Sequence, residues 1–437
     1  MDETPQALAR QKLWQRLRKN ISVILGGRAI FGLVNLAAAA IAVRACGVEA
    51  FGVVALLHAY IQVFAGLLRF DTWAAVTRYG VKAADTPPDL RRLLGFTLRL
   101  DVLAFIVSVL LAGFVAPFAG RILHWPEEVI ALAPWYAVNI IFITGATATG
   151  FLRLIDRFAV LAQQHGLNAV IRLIGALLLW VIGGDAFELT LVWGIAGIVS
   201  GAYMMGIAWR EALRRDLMPT FRGRWSELSA GFPNIWRFVT VTNVDGMIST
   251  VMNYGVTLMV GAILGTVGAS LFQIAWQSTD FMRKLSNVLG PIFFPEITKM
   301  EAKGNRPEIR RLIDRTLWVA AIWLAVMTSV YVFGTEPYLR LLFGPETVAV
   351  TNTMILCGIA AALFASGFTF EPSLMSIGKE SSILKTTVFA SAVAVPSIIG
   401  LTYAYGLIGA GIGLLLWQIL VFTSRLIILK RALREDL

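Results

Sequence analysis

Runs of about 20 apolar residues recur along this 437-residue chain, and they constrain its fold more than any other feature does. Three of them cover residues 100–120, 317–334 and 407–422. A run of this length crosses the hydrocarbon core of a bilayer as one helix. Charged residues make up only 15% of the chain, against roughly 25% in a typical soluble protein. The sequence therefore predicts an all-α polytopic membrane protein.

Twelve spans can be placed, six in each half of the chain. The first six are predicted at residues 21–43, 50–69, 100–119, 129–150, 159–182 and 187–208. The second six are predicted at residues 238–262, 267–290, 316–334, 348–369, 382–404 and 406–424. An even number of spans places both termini on the same side of the membrane.

Lys and Arg are concentrated on one side of this topology. Of the 38 basic residues, 31 fall in the two tails and the even-numbered connections, whereas only Arg44, Arg121 and Arg340 fall in the odd-numbered ones. Basic connections stay in the cytoplasm. We therefore expect a bacterial inner-membrane protein with both termini cytoplasmic. The net charge of +11 is then explained by anionic lipid head groups, so we expect no nucleic-acid partner.

An internal repeat relates the two halves. Residues 88–98 (PDLRRLLGFTL) and 307–317 (PEIRRLIDRTL) are identical at six of eleven positions and lie 219 residues apart. Gly47 and Gly265, each of which precedes the second span of its half, are separated by 218 residues. Six spans return the chain to the side where it started. The two halves should therefore be parallel repeats, related by a pseudo-twofold axis along the membrane normal.

The repeat predicts two six-helix lobes with a cleft between them, where transporters place their substrate. The sixth and twelfth spans each carry a Gly-x-x-x-Gly motif that permits close helix packing. The repeated phrase is expected to be a surface helix with solvated arginines. The predicted parts are a cytoplasmic tail (1–20), an N-lobe (21–209), a cytoplasmic linker (210–237), a C-lobe (238–424) and a second cytoplasmic tail (425–437).

Four segments make the chain resemble the Wzx-type polysaccharide flippases of the multidrug/oligosaccharidyl-lipid/polysaccharide exporter superfamily. They are GVEAFGVVAL (47–56), GFLRLIDRF (150–158), GTVGASLFQIA (265–275) and GPIFFPEITKM (290–300). The resemblance covers essentially the whole chain. It implies two six-helix bundles, a central cavity and alternating access. The implied substrate is an undecaprenyl-diphosphate-linked oligosaccharide, moved from the cytoplasmic to the periplasmic leaflet for surface or exopolysaccharide biosynthesis.

The same resemblance leaves two questions open. Family members often carry a carboxylate in the seventh helix, where this chain has the neutral Asn253, so the coupling ion is not fixed. A multidrug exporter of the same superfamily is the alternative, although its usual cationic cargo would be repelled by buried arginines. We expect a monomer that works beside polysaccharide polymerase and export machinery.

Basic residues inside the predicted spans are candidates for binding the diphosphate. A bare charge at mid-bilayer costs at least ~2.5–3.5 kcal/mol, so such residues face a cavity or a partner. Guanidinium groups suit phosphate oxygens because they donate two parallel hydrogen bonds. Arg283 could instead extend to the interface, and the last candidate, a lysine, could pair with Asp280 four residues earlier. The candidates are Arg28, Arg172, Arg283 and Lys284.

Asp245 and Glu371 are the candidate coupling carboxylates, and either could instead pair with an arginine of the opposite lobe. His58 and His165 are interpreted as polar packing residues. No metal-ligand spacing, phosphate loop or nucleophile elbow is present, so we expect no catalytic residue, no metal and no cofactor. A membrane glycosyltransferase or ligase is correspondingly disfavoured. A transporter is the predicted class.

Overall fold

The protein is described by a computed structural model. It covers residues 5–83, 86–122, 125, 127–221, 223–302 and 306–433. For some of these residues only the backbone is described, and nothing is said of their side chains. They are residues 5–29, 122, 128–129, 245, 281, 284–296, 298–299, 302 and 380.

The N-lobe consists of six spans and one short additional helix. Spans 1 and 2 are the two parts of one long helix, Pro5–Leu67, which is broken at Gly47. Helix Thr72–Ala83 follows, and then come span 3 (Pro87–Ile122), span 5 (Phe158–Ile182) and span 6 (Ala186–Arg214). Span 4 is assembled from four consecutive helical pieces, Glu127–Tyr136, Ala137–Asn139, Ile140–Thr144 and Ala146–Leu154.

The C-lobe follows a connection that contains the short helix Trp225–Ser229. Span 7 begins with helix Ile235–Thr250, passes through a π-helical turn at Val251–Gly255, and continues into helix Val256–Ala302. That helix is broken at Gly265, and its second part is span 8. The remaining pieces are span 9 (Arg306–Leu342), span 10 (Pro345–Val350, Thr351–Ser366 and Phe370–Ser376), span 11 (Glu380–Tyr405) and span 12 (Leu407–Ala432).

Among the described residues, ten helical stretches are long and apolar enough to cross a membrane. Two of them, Ile30–Leu67 and Ile235–Asp280, contain 38 and 46 residues. At 1.5 Å per residue they exceed the ~30 Å hydrocarbon core by a wide margin. Each is interrupted at a glycine with positive φ, 88° at Gly47 and 72° at Gly265, and each therefore supplies two spans. The predicted total of twelve spans is confirmed.

The repeat is visible in the backbone. Gly183 and Gly406, both with positive φ, separate spans 5 and 6 and spans 11 and 12. Together with the pair at Gly47 and Gly265, they mark equivalent connections of the two lobes. Positive φ is readily adopted only by glycine, so the sequence fixes these reversals locally. The fold is the predicted one, with two six-helix lobes in a parallel repeat.

Close packing at the two Gly-x-x-x-Gly motifs is also confirmed. A Cβ at Gly197 would lie 2.1 Å from Asn139 Oδ1 of span 4, and one at Gly409 would lie 1.9 Å from the Leu401 carbonyl oxygen of span 11. Both distances are far below van der Waals contact, so a side chain at Gly409 would clash with the backbone of span 11, and one at Gly197 would displace the Asn139 side chain. The two motifs therefore hold spans together within each lobe.

The two copies of the repeated phrase behave differently. In the N-lobe copy, Arg91 Nε donates to the Asp216 carbonyl oxygen at 2.7 Å, and Arg99, the residue directly after this copy, donates from Nη1 to the Gly223 carbonyl oxygen at 2.8 Å. In the C-lobe, the one partner of Arg310 among the described residues is Asp314 on its own helix, at 4.0 Å. Arg310 thus matches the expected solvated surface, whereas Arg91 anchors the connection between the lobes.

Candidate functional site: a cationic cavity between the lobes

A cavity of about 610 Å³ lies between the two lobes, and both contribute to its surface. The N-lobe wall consists of Asn35, Phe51, Val54, Ala55, His58, Arg69, Arg172 and Trp193. The C-lobe wall consists of Ser249, Thr250, Asn253, Tyr254, Gln273, Trp276, Gln277, Asp280, Arg283, Phe364, Glu371, Thr387, Trp417, Gln418, Val421 and Arg425. This volume falls within the ~300–1,000 Å³ range of small-molecule sites.

Arg172 is the central cation of the N-lobe wall. Its Nη1 donates to Asn35 Oδ1 of span 1 at 3.3 Å, and its Cζ lies 5.4 Å from the centroid of the Trp193 ring. Its Nε is buried and has no hydrogen-bond partner among the described residues. A neutral amide and an aromatic face orient the guanidinium without neutralising its charge. The predicted position of Arg172 in the cavity is therefore supported by its contacts.

Arg69 enters the same wall from the turn that follows span 2. Its Nε donates to Asp71 Oδ1 at 3.0 Å, and the same oxygen accepts from Trp73 Nε1 at 3.3 Å. Asp71 has a φ of 42°, a conformation that Asp tolerates better than most residues. The turn thus fixes the direction of the Arg69 side chain toward the cavity.

Arg283 is the corresponding cation of the C-lobe wall. Its Cζ lies 3.5 Å from the centroid of the Trp276 ring, in cation–π geometry. Its Nη1 is buried and makes no hydrogen bond to any described residue. The guanidinium is therefore held against an indole inside the cavity, and it does not extend to the membrane interface.

Arg425 and Glu371 form an ion pair on the C-lobe wall, with Arg425 Nη2 3.9 Å from Glu371 Oε1 and 3.1 Å from Thr387 Oγ1. The Arg425 side chain is 14% exposed, and that of Glu371 is 51% exposed. Pairing with an opposite-lobe arginine was one alternative for Glu371, and the arginine beside it instead comes from span 12 of the same lobe. The Arg425 Nε has no hydrogen-bond partner among the described residues.

Arg69 and Arg425 were not recognised as cavity residues from the sequence. Both lie at the ends of predicted spans. The positive-inside rule led us to interpret arginines at such positions as lipid anchors. The structure corrects this interpretation: span 12 continues to Ala432 instead of ending at 424, and both arginines line the cavity. Cavity position depends on which helix face points inward, which charge counting does not reveal.

Asn253 lies in the π-helical turn Val251–Gly255. Its Nδ2 donates to the Ser249 carbonyl oxygen at 2.7 Å, and the residue lines the cavity. Single π-helical turns occur frequently at functional sites because they redirect side chains. At this position the C-lobe wall therefore carries a neutral amide and no carboxylate.

Three predicted site residues have side chains outside the described set: Arg28, Asp245 and Lys284. Their backbones belong to spans 1, 7 and 8, as predicted. The proposed pair between Lys284 and Asp280 also stays a prediction for this reason. Of the other predicted residues, Arg172, Arg283, Asp280 and Glu371 all line one cavity.

Asp101 is a buried carboxylate that sequence reasoning overlooked. Its Oδ1 accepts from Thr72 Oγ1 at 2.7 Å, and its Oδ2 accepts from the Thr147 amide at 2.8 Å. These bonds join span 3 to helix Thr72–Ala83 and to span 4, away from the central cavity. Its position two residues inside the predicted third span was the signal that could have identified it.

The lobes close against each other at the end that holds Gly47 and Gly265. A Cβ at Gly52 would lie 2.1 Å from the Thr266 carbonyl oxygen, so the second span of each lobe is in backbone contact there. Arg44 Nη2 donates to the Leu341 carbonyl oxygen at 2.5 Å across the same junction. The cavity is thus sealed at one end of the molecule.

Comparison with known proteins agrees with this architecture. No protein-family model matches the chain. The chain is 26% identical over 328 residues to the inner membrane protein YghQ of Escherichia coli (strain K12), covering 75% of this chain and 92% of YghQ. An inner membrane location fits both this relative and the long apolar helices.

Solved structures share the fold across nearly the whole chain. The lipid II flippase MurJ in an inward closed conformation aligns with a TM-score of 0.70 and 15% identity, covering 93% of this chain and 87% of MurJ. An inward-facing multidrug resistance MATE family transporter of the MOP superfamily aligns at 0.68 and 14%, covering 93% and 96%. The Vibrio cholerae MATE transporter VcmN (D35N mutant) aligns at 0.65 and 16%, covering 97% and 98%. This chain has the fold of these proteins.

Proposed function

We propose that this protein is an inner-membrane flippase that moves an undecaprenyl-diphosphate-linked oligosaccharide from the cytoplasmic to the periplasmic leaflet by alternating access. The product would serve surface or exopolysaccharide biosynthesis. The proposal is supported by the two-lobe fold, the cationic cavity between the lobes and the likeness to a lipid flippase.

One observation carries the proposal. Three cavity arginines, Arg172, Arg283 and Arg425, each retain a buried N–H group without a hydrogen-bond partner among the described residues. A buried donor left without an acceptor costs about 1–3 kcal/mol, and more when it is charged. A diphosphate carries several anionic oxygens that accept hydrogen bonds from guanidinium groups. Binding such a substrate would therefore satisfy donors that the protein itself leaves open.

The seal at one end supplies the geometry for alternating access. The lobes meet through backbone contacts at Gly52 and Thr266, while the cavity lies farther along the same interface. Opening this contact and closing the opposite end would carry the cavity from one face to the other. The diphosphate would cross the membrane beside fixed cations, and the lipid tail would remain in the bilayer.

A multidrug exporter is the rival, and specific residues favour it. The cavity contains Trp193, Trp276 and Trp417 together with the carboxylates Asp280 and Glu371, and aromatic rings with carboxylates suit cationic amphiphiles. The four cavity arginines oppose this cargo, because a bound cation would be repelled from both walls. An exporter would transport an organic cation, whereas the proposed flippase would not, so this assay distinguishes the two functions.

Reconstitution into liposomes tests the proposal. The purified protein would be supplied with fluorescent undecaprenyl-diphosphate-linked N-acetylglucosamine, and transfer between leaflets would be followed by quenching with an impermeant reductant. Wild-type protein should accelerate transfer, and the double variant Arg172→Ala/Arg283→Ala should not. Arg121→Ala, an exposed arginine at the end of span 3, is the matched control and should behave as wild type. Transport of rhodamine-type cations with no transfer of the lipid would overturn the proposal in favour of the exporter.

A further inference from the structure

A second, smaller cavity of about 200 Å³ opens beside the central one, entirely within the N-lobe. We call it the side pocket. Spans 2, 4, 5 and 6 form it, and His58, Arg172 and Trp193 belong to both cavities. A ligand that occupies the central cavity at Arg172 can therefore extend into the side pocket without leaving the protein. The volume is below the ~300–1,000 Å³ of drug-sized sites, so it suits a single ring.

The chemistry of the side pocket differs from that of the central cavity. Among the described residues that line it, Arg172 is the only Lys, Arg, Asp or Glu. The other polar side chains are the amides of Gln62, Asn139, Gln164 and Asn168, the hydroxyl of Ser200 and the imidazoles of His58 and His165, and they lie beside apolar and aromatic residues. Uncharged donors and acceptors placed inside a membrane span are costly unless they bind something polar. The lining selects a neutral, highly hydroxylated ligand over a cation or an apolar drug.

Part of this polar surface keeps hydrogen-bonding capacity. Asn168 Nδ2 donates to Ser200 Oγ at 3.2 Å, which leaves the Asn168 carbonyl oxygen available as an acceptor. Gln164, one turn earlier on the same face of span 5, makes no hydrogen bond within the described part of the chain. Trp193 and Tyr136 add aromatic surface to the same pocket. Amide groups that converge beside aromatic rings match the alternating polar and apolar faces of a pyranose.

We propose that the side pocket binds the sugar ring attached directly to the lipid diphosphate, with Gln164 and Asn168 accepting and donating hydrogen bonds to its hydroxyl groups. This inference rests on the proposed function, because the diphosphate held at Arg172 is what places the ring at the pocket entrance. The protein would then recognise two parts of its substrate separately. Arg172 and the other cavity arginines hold the diphosphate, and the side pocket reads the first sugar.

Equilibrium binding to the full-length protein in detergent tests the inference with two kinds of probe. One is undecaprenyl diphosphate alone, and the other is the same lipid carrying a single glucose, galactose or N-acetylglucosamine. Wild-type protein should bind at least one of the sugar-bearing lipids about tenfold more tightly than the bare lipid, as expected for two or three neutral hydrogen bonds. Gln164→Ala and Asn168→Ala should each remove most of this preference and change the affinity for the bare lipid by less than about twofold.

Gln163 provides a matched control, because it is the neighbouring residue with the same side chain. It accepts a hydrogen bond from Tyr203 at 2.8 Å and does not line the side pocket, so Gln163→Ala should keep the sugar preference. Equal binding of bare and sugar-bearing lipids by wild type would overturn the inference and leave the diphosphate site standing. An equal loss of both affinities in Gln164→Ala would also overturn it. If the protein bound none of the diphosphate lipids, that result would contradict the proposed function and, with it, this inference.

Discussion

The two lobes share a backbone pattern but present different charges to the cavity between them. Among the described residues, Arg69 and Arg172 are the charged members of the N-lobe wall, and no carboxylate of this lobe lines the cavity. On the C-lobe wall, Arg283 and Arg425 are accompanied by Asp280 and Glu371. The features that the two lobes share set where the helices break and turn. The residues that differ between the lobes set the charge of each cavity wall. We infer that Arg172 of the N-lobe wall holds the anion, whereas Arg425 of the C-lobe wall can exchange its ion pair with Glu371 for a substrate contact.

The largest effect on lipid transfer is expected when the N-lobe wall loses its central cation. Arg172→Ala should reduce lipid transfer by about 10- to 100-fold, because a hydrogen bond to a charged group contributes about 1.5–3 kcal/mol. Arg172→Lys should restore only part of the rate, since an ammonium keeps the charge without the two-pronged geometry. Transfer rates in liposomes, normalised to reconstituted protein, provide the measurement. Full activity of Arg172→Ala at wild-type protein levels would show that Arg172 acts only in packing against Asn35 and Trp193.

Adding a carboxylate to the C-lobe wall tests whether the charge of this wall affects substrate affinity. Asn253→Asp would place a negative charge in the cavity and remove the amide that donates to the Ser249 carbonyl oxygen. We expect affinity for undecaprenyl diphosphate to fall about tenfold, from the repulsion between like charges in a partly dry site. Asn253→Ala is the control, because it removes the same hydrogen bond without adding charge. Similar affinities in the two variants would contradict an electrostatic role for this position.

Neutralising a C-lobe carboxylate should have the opposite sign. Glu371→Gln breaks the ion pair with Arg425 and releases that guanidinium toward the cavity. The two groups are 3.9 Å apart and the Glu371 side chain is half exposed. The ion pair therefore stabilises the protein by only about 1 kcal/mol or less. Affinity for the bare lipid should therefore rise by about two- to fivefold, as measured by equilibrium binding. A decrease would indicate that Glu371 itself contacts the substrate.

The smallest expected effect concerns the repeated phrase. Arg91→Ala removes a contact that joins the N-lobe to the connection between lobes, whereas Arg310→Ala removes only a solvated pair on its own helix. Arg91→Ala should lower the free energy of unfolding by about 0.5–1.5 kcal/mol, and Arg310→Ala should change it by less than about 0.5 kcal/mol. Thermal unfolding of the two variants in the same detergent measures this difference. Identical unfolding curves would contradict the anchoring role of Arg91.

Much of the fold could be predicted because it depends on local patterns. Apolar runs of membrane length locate the spans, and a glycine at Gly47 and at Gly265 permits a reversal that other residues resist. The repeated phrase supplies the parallel symmetry. The division of one 63-residue helix into two spans was accessible for the same reason, since the break falls at the predicted glycine.

The candidate site was predicted only in part, because a cavity depends on which helix faces meet. Arg172 and Arg283 lie deep inside spans, where any charge must face a cavity or a partner, so their placement followed from the sequence. Arg69 and Arg425 lie near span ends, where the sequence equally favours lipid anchoring. Apart from Arg172, the side pocket is lined by amide, hydroxyl, imidazole, aromatic and apolar side chains of four helices, and none of these is unusual enough in the sequence to mark a site. The spacing of Gln164, Asn168 and Arg172 places them on one face of span 5, but only the packed structure shows that spans 2, 4 and 6 enclose this face.

The central claim is that the cavity between the lobes carries a lipid-linked diphosphate. A photoreactive undecaprenyl-diphosphate-linked sugar, with the reactive group on the sugar, tests it directly when cross-linked to the protein in native membranes and mapped by mass spectrometry. We predict adducts on residues of spans 2, 5 and 6 around His58, Gln164 and Trp193, with loss of these adducts in Arg172→Ala. Adducts confined to the lipid-facing surfaces of the helices, unchanged by Arg172→Ala, would contradict the account.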